Sequence, residues 1–207
     1  MGTLSKYNLA GMRVLHGLRS FVETGTAQGD GTEQARAAGF DPIHTIEVVP
    51  EIAAAARFRF AEHKQVRVWE GSSVSNLPLI LKDLPAEPCL FWLDAHFPGA
   101  HHGADYAAEQ DAAVRLPLEE EIRMIRAARP PARDVLLIDD ARIYVPGPYG
   151  AGDLPADWPA VHGIGRGPKR LDFVRELYGS THGMIVDYAD QGYLMVFPRI
   201  LADLKAA

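Results

Sequence analysis

Cys89-Leu90-Phe91-Trp92-Leu93 is an unbroken apolar run that stops at Asp94-Ala95-His96. A strand with one wet face alternates apolar and polar residues, whereas a strand covered on both faces reads as a continuous hydrophobic stretch. The run therefore predicts a central strand of a parallel sheet layered by helices. Val135-Leu136-Leu137-Ile138, ending in Asp139-Asp140, repeats the pattern. Upstream, Phe21-Val22-Glu23-Thr24 and residues 43–49 and 66–69 read as strands, with helices expected over 32–38, 51–63 and 74–84. Downstream, Leu118, Ile122 and Ile125 give residues 116–129 helical spacing, and 169–178 is a further helix closed by Gly179. Residues 184–188 and 193–197 flank Ala189-Asp190-Gln191-Gly192, which predicts a closing hairpin.

The alternation of strand and helix predicts one doubly wound α/β domain over residues 1–207, its mostly parallel sheet closed by a C-terminal antiparallel β-hairpin. Residues 1–19 form an N-terminal helical segment in this reading. Its apolar positions Leu9, Met12, Val14, Leu15 and Leu18 can cover the active site or a second copy of the chain. Residues 97–115 and 142–168 are expected to be active-site loops. The latter carries five prolines and six glycines, and a connection of that length is usually functional.

Twenty-one basic and 27 acidic residues leave a net charge of −6, which disfavours a dedicated nucleic-acid binder. Cys89 is the single cysteine, so no intrachain disulfide exists. Lys6 and Arg13 interrupt the N-terminal stretch, which does not read as a signal peptide, and no apolar run approaches membrane-span length. A cytoplasmic chain with no membrane partner is the expectation.

The chemistry-bearing residues fall where strands end. Glu23-Thr24-Gly25-Thr26-Ala27-Gln28-Gly29-Asp30-Gly31-Thr32 joins the first strand to its helix. Its glycines permit a tight turn and close approach of backbone to a ligand, although the turn alone can explain them. The spacing is neither G-x-G-x-x-G nor a P-loop. An acid opening the loop would repel a pyrophosphate but suit an ammonium group. Glu47, about 20 residues beyond the glycines, can accept hydrogen bonds from both hydroxyls of a ribose. Asp94, Asp139 and Asp140 end neighbouring strands about 4.8 Å apart, so their charges converge. Three such carboxylates call for a cation or large pKa shifts, and all-oxygen ligation suits Mg²⁺, Mn²⁺ or Ca²⁺. Capping of the next segment is the alternative role for Asp139 and Asp140.

Glu23-x-Gly25-x-x-x-Gly29, Thr45-Ile46-Glu47-x-x-Pro50 and Gly71-Ser72-Ser73, in that order, resemble motifs of the class I S-adenosylmethionine-dependent methyltransferases, a Rossmann-like fold. Asp94 and the Asp139-Asp140 pair resemble the divalent-metal-dependent O-methyltransferases of the catechol type. Asp94-Ala95-His96 is similar to the macrolide-sugar type. The resemblance spans residues 20–145. It implies that Glu23, Thr24, Gly25, Thr26 and Gly29 hold the methionine moiety, that Glu47 clasps the ribose, and that Ser72 or Ser73 lies near adenine. Asp94 belongs to both cofactor and metal sites in this reading, with Asp139 and Asp140 as further metal ligands. Asp140 stands where the catechol type has Asn, and no lysine matches that type's base. His96 is then the general base, its ordinary pKa lying near neutrality.

The resulting expectation is S-adenosylmethionine-dependent, metal-assisted methyl transfer to a hydroxyl of a small molecule. A non-catalytic adenosyl-binding protein and a metal-dependent hydrolase are the alternatives. Phe97, Tyr144, Tyr149 and Trp158 either line the acceptor pocket or anchor a long loop. His101 and His102 are assigned to solvent.

Overall fold

The computed structural model describes residues 3–95, 115–129, 133–154 and 171–199. Seven strands form one mixed sheet: β1 (Ser20–Thr24), β2 (Ile43–Glu47), β3 (Val66–Glu70), β4 (Cys89–Leu93), β5 (Val135–Ile138), β6 (His182–Asp187) and β7 (Tyr193–Pro198). Their spatial order is β3-β2-β1-β4-β5-β7-β6. The first five run parallel, and β7 joins β5 antiparallel with β6 outside it. The expected single α/β domain with its closing hairpin is therefore the observed architecture.

Every residue of β1, β4 and β5 is buried, as the continuous apolar runs require of strands covered on both faces. On one face, Phe91, Leu93, Leu136 and Ile138 pack under α4 (Ser73–Asp83), α5 (Leu118–Ala128) and α6 (Asp172–Tyr178). On the other, Phe21, Leu90, Trp92 and Tyr193 meet α2 (Asp30–Ala37) and the N-terminal segment through Ala35, Leu4 and Leu9. That segment is a short 3₁₀ turn, Leu4–Lys6, followed by α1 (Leu9–His16). Gly17 at φ +62° closes α1. Among the described residues no helix is long and apolar enough to cross a membrane.

Several boundaries differ from the sequence reading. The second strand was expected to reach Val49 but stops at Glu47, because the Glu47 carboxylate turns back to accept the Val49 N–H at 3.0 Å. The chain then enters α3 (Pro50–Arg59) with Pro50 in its first turn, where a missing N–H costs nothing. The helix stops four residues short of the expected His63, as the chain tightens into turns in which Ala61 N–H meets Phe58 O and His63 N–H meets Phe60 O. β6 begins at His182 because the hairpin register carries on to the His182–Pro198 pair.

The strand order reverses between β1 and β4. At such a switch point, successive loops leave the carboxyl edge of the sheet in opposite directions and open a crevice. Gly25, just after β1, and Asp94, just after β4, flank it.

Candidate active site

The β1–α2 loop is held by the end of β2. The N–H groups of Gly25 and Thr26 both donate to Ile46 O, and Gly29 N–H donates to Thr26 O. Gly25 stands at φ +87°, and a Cβ there would lie 2.5 Å from the carbonyl oxygen of Asp94. Only glycine lets this loop touch the end of β4, so the two loops flanking the switch point meet backbone to backbone. Ala27 also takes a left-handed conformation, φ +46°, uncommon for a residue with a side chain. Its N–H is captured by Glu47 Oε2 at 2.9 Å. Glu47 thus uses one oxygen on the loop and one on the entry to α3.

Glu23 is buried beneath this loop. Its Oε2 accepts hydrogen bonds from Thr32 Oγ1 and Thr45 Oγ1, both at 2.6 Å, and Thr45 in turn shares a 2.5 Å contact with Thr26. Burial raises the Glu23 carboxyl to about 7, against the two threonine hydroxyls that favour its ionised form. A cation arriving beside it would draw the group back toward ionisation. A Cβ at Gly31 would collide with the other Glu23 oxygen, so the helix N-terminus also closes tightly over this carboxyl. Thr26 was singled out from the sequence as a cofactor-loop residue, whereas Thr32 and Thr45 were given no role. Their register would have shown one of them, since Thr45 is the β2 partner of Glu23.

The acids of β4 and β5 do converge. Leu93 and Ile138 are register partners, and Asp139 N–H donates to Leu93 O at 3.1 Å, so Asp94 and Asp139 leave adjacent strands side by side. Burial drives the Asp94 carboxyl well above the ordinary range, reinforced by Asp139, Asp140 and Glu23 and by a hydrogen bond with Asp139. Asp140 sits at φ +50° with its Oδ1 3.9 Å from Arg142 Nε. Among the described residues no three acidic, histidine or cysteine side chains come together as a metal-binding group. The donor chemistry of Asp94 and Asp139 suits a hard dication, while Asp140 leans toward Arg142.

Ser72 caps α4: its Oγ accepts Ser75 N–H at 3.2 Å and bonds Ser75 Oγ at 2.8 Å. Ser73 is buried in the first turn of that helix. Thr24 is buried at the end of β1 and its hydroxyl finds no hydrogen-bond partner among the described residues. His96, Phe97, His101, His102 and Trp158 lie outside the described residues, as do most of the two expected loops. Tyr149 packs on the hairpin, its ring 5.2 Å from that of Tyr188, and Tyr144 is buried.

Sequence reasoning missed the polar cluster that joins the N-terminal segment to Asp187, Asp190 and Tyr193. Lys6 Nζ lies 3.2 Å from Asp187 and 3.5 Å from Asp190, and 3.9 Å above the ring of Tyr193. Tyr193 OH accepts Thr3 N–H and donates to Asp190, each at 3.2 Å. Tyr7 donates to Asp187 at 3.4 Å and meets the Tyr193 ring edge-on. Burial, then the negative charge of Asp187, pushes the Tyr7 phenol upward, with Tyr193 and Asp139 adding to it. The Ala189 N–H, with Lys6 and Tyr7, holds Asp187 below the usual carboxylate range. The N-terminal segment is thereby fastened to the β6–β7 turn at the acidic end of the sheet. No local signal marks these contacts, which join residues nearly two hundred positions apart.

Solved structures share this architecture. A Staphylococcus aureus protein named, by inference, a caffeoyl-CoA O-methyltransferase superposes with a TM-score of 0.60 at 14% identity, over 96% of this chain and 84% of that one. The S-adenosylhomocysteine-bound methyltransferase PaMTH1 of Podospora anserina gives 0.57 at 18% identity, over 92% and 76%. The O-methyltransferase TomG of Streptomyces achromogenes, solved with S-adenosylmethionine, gives 0.56 at 17%, over 92% and 77%. No family model matches the sequence. No curated protein sequence matches it either. The fold is that of the class I S-adenosylmethionine-dependent methyltransferases.

Proposed function

We propose that the protein is an S-adenosylmethionine-dependent O-methyltransferase acting on a small molecule. The observation that carries this reading is the meeting of the glycine loop with the end of β4, under which Glu23 is buried on two threonine hydroxyls and beside which Glu47 reaches the loop. Ligands of open α/β sheets bind in the crevice at the switch point. S-adenosylmethionine, when bound, supplies an electrophilic methyl group on a sulfonium centre. Glu23 and the backbone of Thr24, Gly25, Thr26 and Gly29 would receive its methionine moiety, the ammonium group facing the acidic end of β1. Glu47 would hold the ribose, and the Ser72–Ser73 turn would flank adenine.

Asp94 and Asp139 would hold a divalent cation, with Asp140 completing the set by turning from Arg142. Such an ion would offset the mutual repulsion of these acids and lower the pKa of an acceptor hydroxyl. His96 would take the acceptor proton, and an enclosed site would supply the orientation that makes the transfer effectively unimolecular.

Calorimetry with S-adenosylhomocysteine tests the core of the reading, and saturable binding is expected. Absence of binding at millimolar ligand sinks it. Turnover of phenols, sugars and hydroxy acids with and without Mg²⁺ or a chelator then tests the acceptor and the metal. Binding without turnover of any acceptor would point to the adenosyl-binding alternative.

A further inference from the structure

We infer that Arg59 is a positioning residue for the glycine loop, fixing residues 28–30 in their binding shape before any ligand arrives; the inference rests on the reading of that loop as the cofactor loop. Arg59 ends α3, and its Nη1 donates both to the carbonyl of Gln28 and to Asp30 Oδ1, the latter at 2.8 Å. This nitrogen carries two hydrogens, so it serves two acceptors standing on either side of Gly29. Gly29 is at φ +85°, and a Cβ there would lie 2.8 Å from the Phe60 ring, the residue after Arg59. The tip of the loop is therefore packed by Phe60 and pinned by Arg59.

Besides the backbone bonds to Ile46, a second side chain, Glu47, holds the loop at Ala27. Glu47 lies just before α3 and Arg59 ends it, so one helix sets the distance between two anchors of a single loop. Left to itself, a loop with glycines at 25, 29 and 31 would sample many backbone states, and a ligand would have to supply the ordering. The Arg59 and Asp30 side chains are 38% and 71% exposed, so their ion pair contributes little to global stability and is screened by salt. Loop order and fold stability are thus separable by substituting Arg59.

The test compares wild type, Arg59→Ala and Arg59→Lys. In ligand-free protein, hydrogen exchange over residues 25–31 should quicken about tenfold in Arg59→Ala, with the sheet amides and the thermal midpoint nearly unmoved. If the ordered fraction of the loop falls to a tenth, the apparent Kd for S-adenosylhomocysteine rises about tenfold. Arg59→Lys should fall between the two, since one ammonium on a flexible stem replaces a planar donor. Added salt should weaken binding more in wild type than in Arg59→Ala. Unchanged loop exchange and Kd in Arg59→Ala overturn the inference, and so does faster exchange spread evenly through the sheet. Should wild type fail to bind the ligand, the methyltransferase reading falls by itself, and the exchange comparison still decides the role of Arg59.

Discussion

A carboxyl raised to about 7 makes Glu23 a stability sensor as well as a candidate ligand. The folded state binds its proton more tightly than the unfolded chain does, so this contribution is full below the unfolded value of 4.5 and is lost as pH climbs through about 7. The loss amounts to about 3 kcal/mol. Denaturation at pH 5 and pH 8 should therefore show a larger drop for wild type than for Glu23→Gln, and equal drops would refute it. Saturating S-adenosylhomocysteine should shrink the difference, because its ammonium would favour the ionised acid. Glu47→Ala should weaken cofactor binding by about 1–3 kcal/mol, checked by calorimetry. It also strips acceptors from Ala27 and Val49, so its melting point should fall more than that of Glu47→Gln. At the third cluster, Asp139→Asn should stabilise the metal-free protein by relieving repulsion on Asp94, while reducing any rise in melting temperature that Mg²⁺, Mn²⁺ or Ca²⁺ produces in wild type. A wild type whose melting ignores all three ions and chelators would make the cluster purely structural.

Among the elements, two left-handed glycines separate backbone cost from collision. Gly152, at φ +79°, has no atom of the described residues within 4 Å of where a Cβ would stand, whereas Gly25 faces the Asp94 carbonyl at 2.5 Å. Gly152→Ala should cost about 1 kcal/mol, the left-handed penalty alone. Gly25→Ala adds a clash that must displace the end of β4, so it should cost more and abolish cofactor binding. Chemical denaturation of the pair reads the difference directly. The elements were legible in the sequence wherever one physical cause governed them. Buried strands announced themselves as apolar runs, and acids closing those runs marked the carboxyl edge. Ser72 shows the limit, because a serine before a helix is a cap by local chemistry whatever lies beyond it. Arg59 and Lys6 were illegible for a different reason. Each acts on a partner that the chain reaches only after the sheet has assembled, and a surface basic residue carries no sign of that partner.

The whole molecule is tied together at two ends of its sheet. At the amino end, Asp134 accepts from Cys89 N–H and from Arg129, whose guanidinium also reaches the carbonyls of Pro85 and Glu87. His182 meets the Asp134 carbonyl, so β4, β5, β6 and α5 share one buried polar network. Asp134→Ala should cost about 3–5 kcal/mol by leaving the Arg129 cation unpaired, measurable as a lower denaturation midpoint. At the carboxyl end, the β6–β7 turn receives Lys6 from one side, while Gly150 N–H donates to Tyr188 O and Ala151 N–H to Asp190 O from the other. Asp139 lies near enough to this junction for its charge to raise the Tyr7 and Tyr193 phenols, so the N-terminal segment and the 144–152 segment share a support next to one of the β5 acids.

The stacking of Trp92 on Tyr193, with ring centroids 6.2 Å apart, gives the protein an internal lamp. Trp92 is almost fully shielded from water, two residues ahead of Asp94, and it is the register partner of Glu23. Its emission should lie to the blue and resist iodide, unlike that of the more open Trp69. A charge appearing on Glu23, or a sulfonium settling above it, changes the field across the indole. Titration of fluorescence against pH, and then against cofactor, would follow the filling of the crevice without a label.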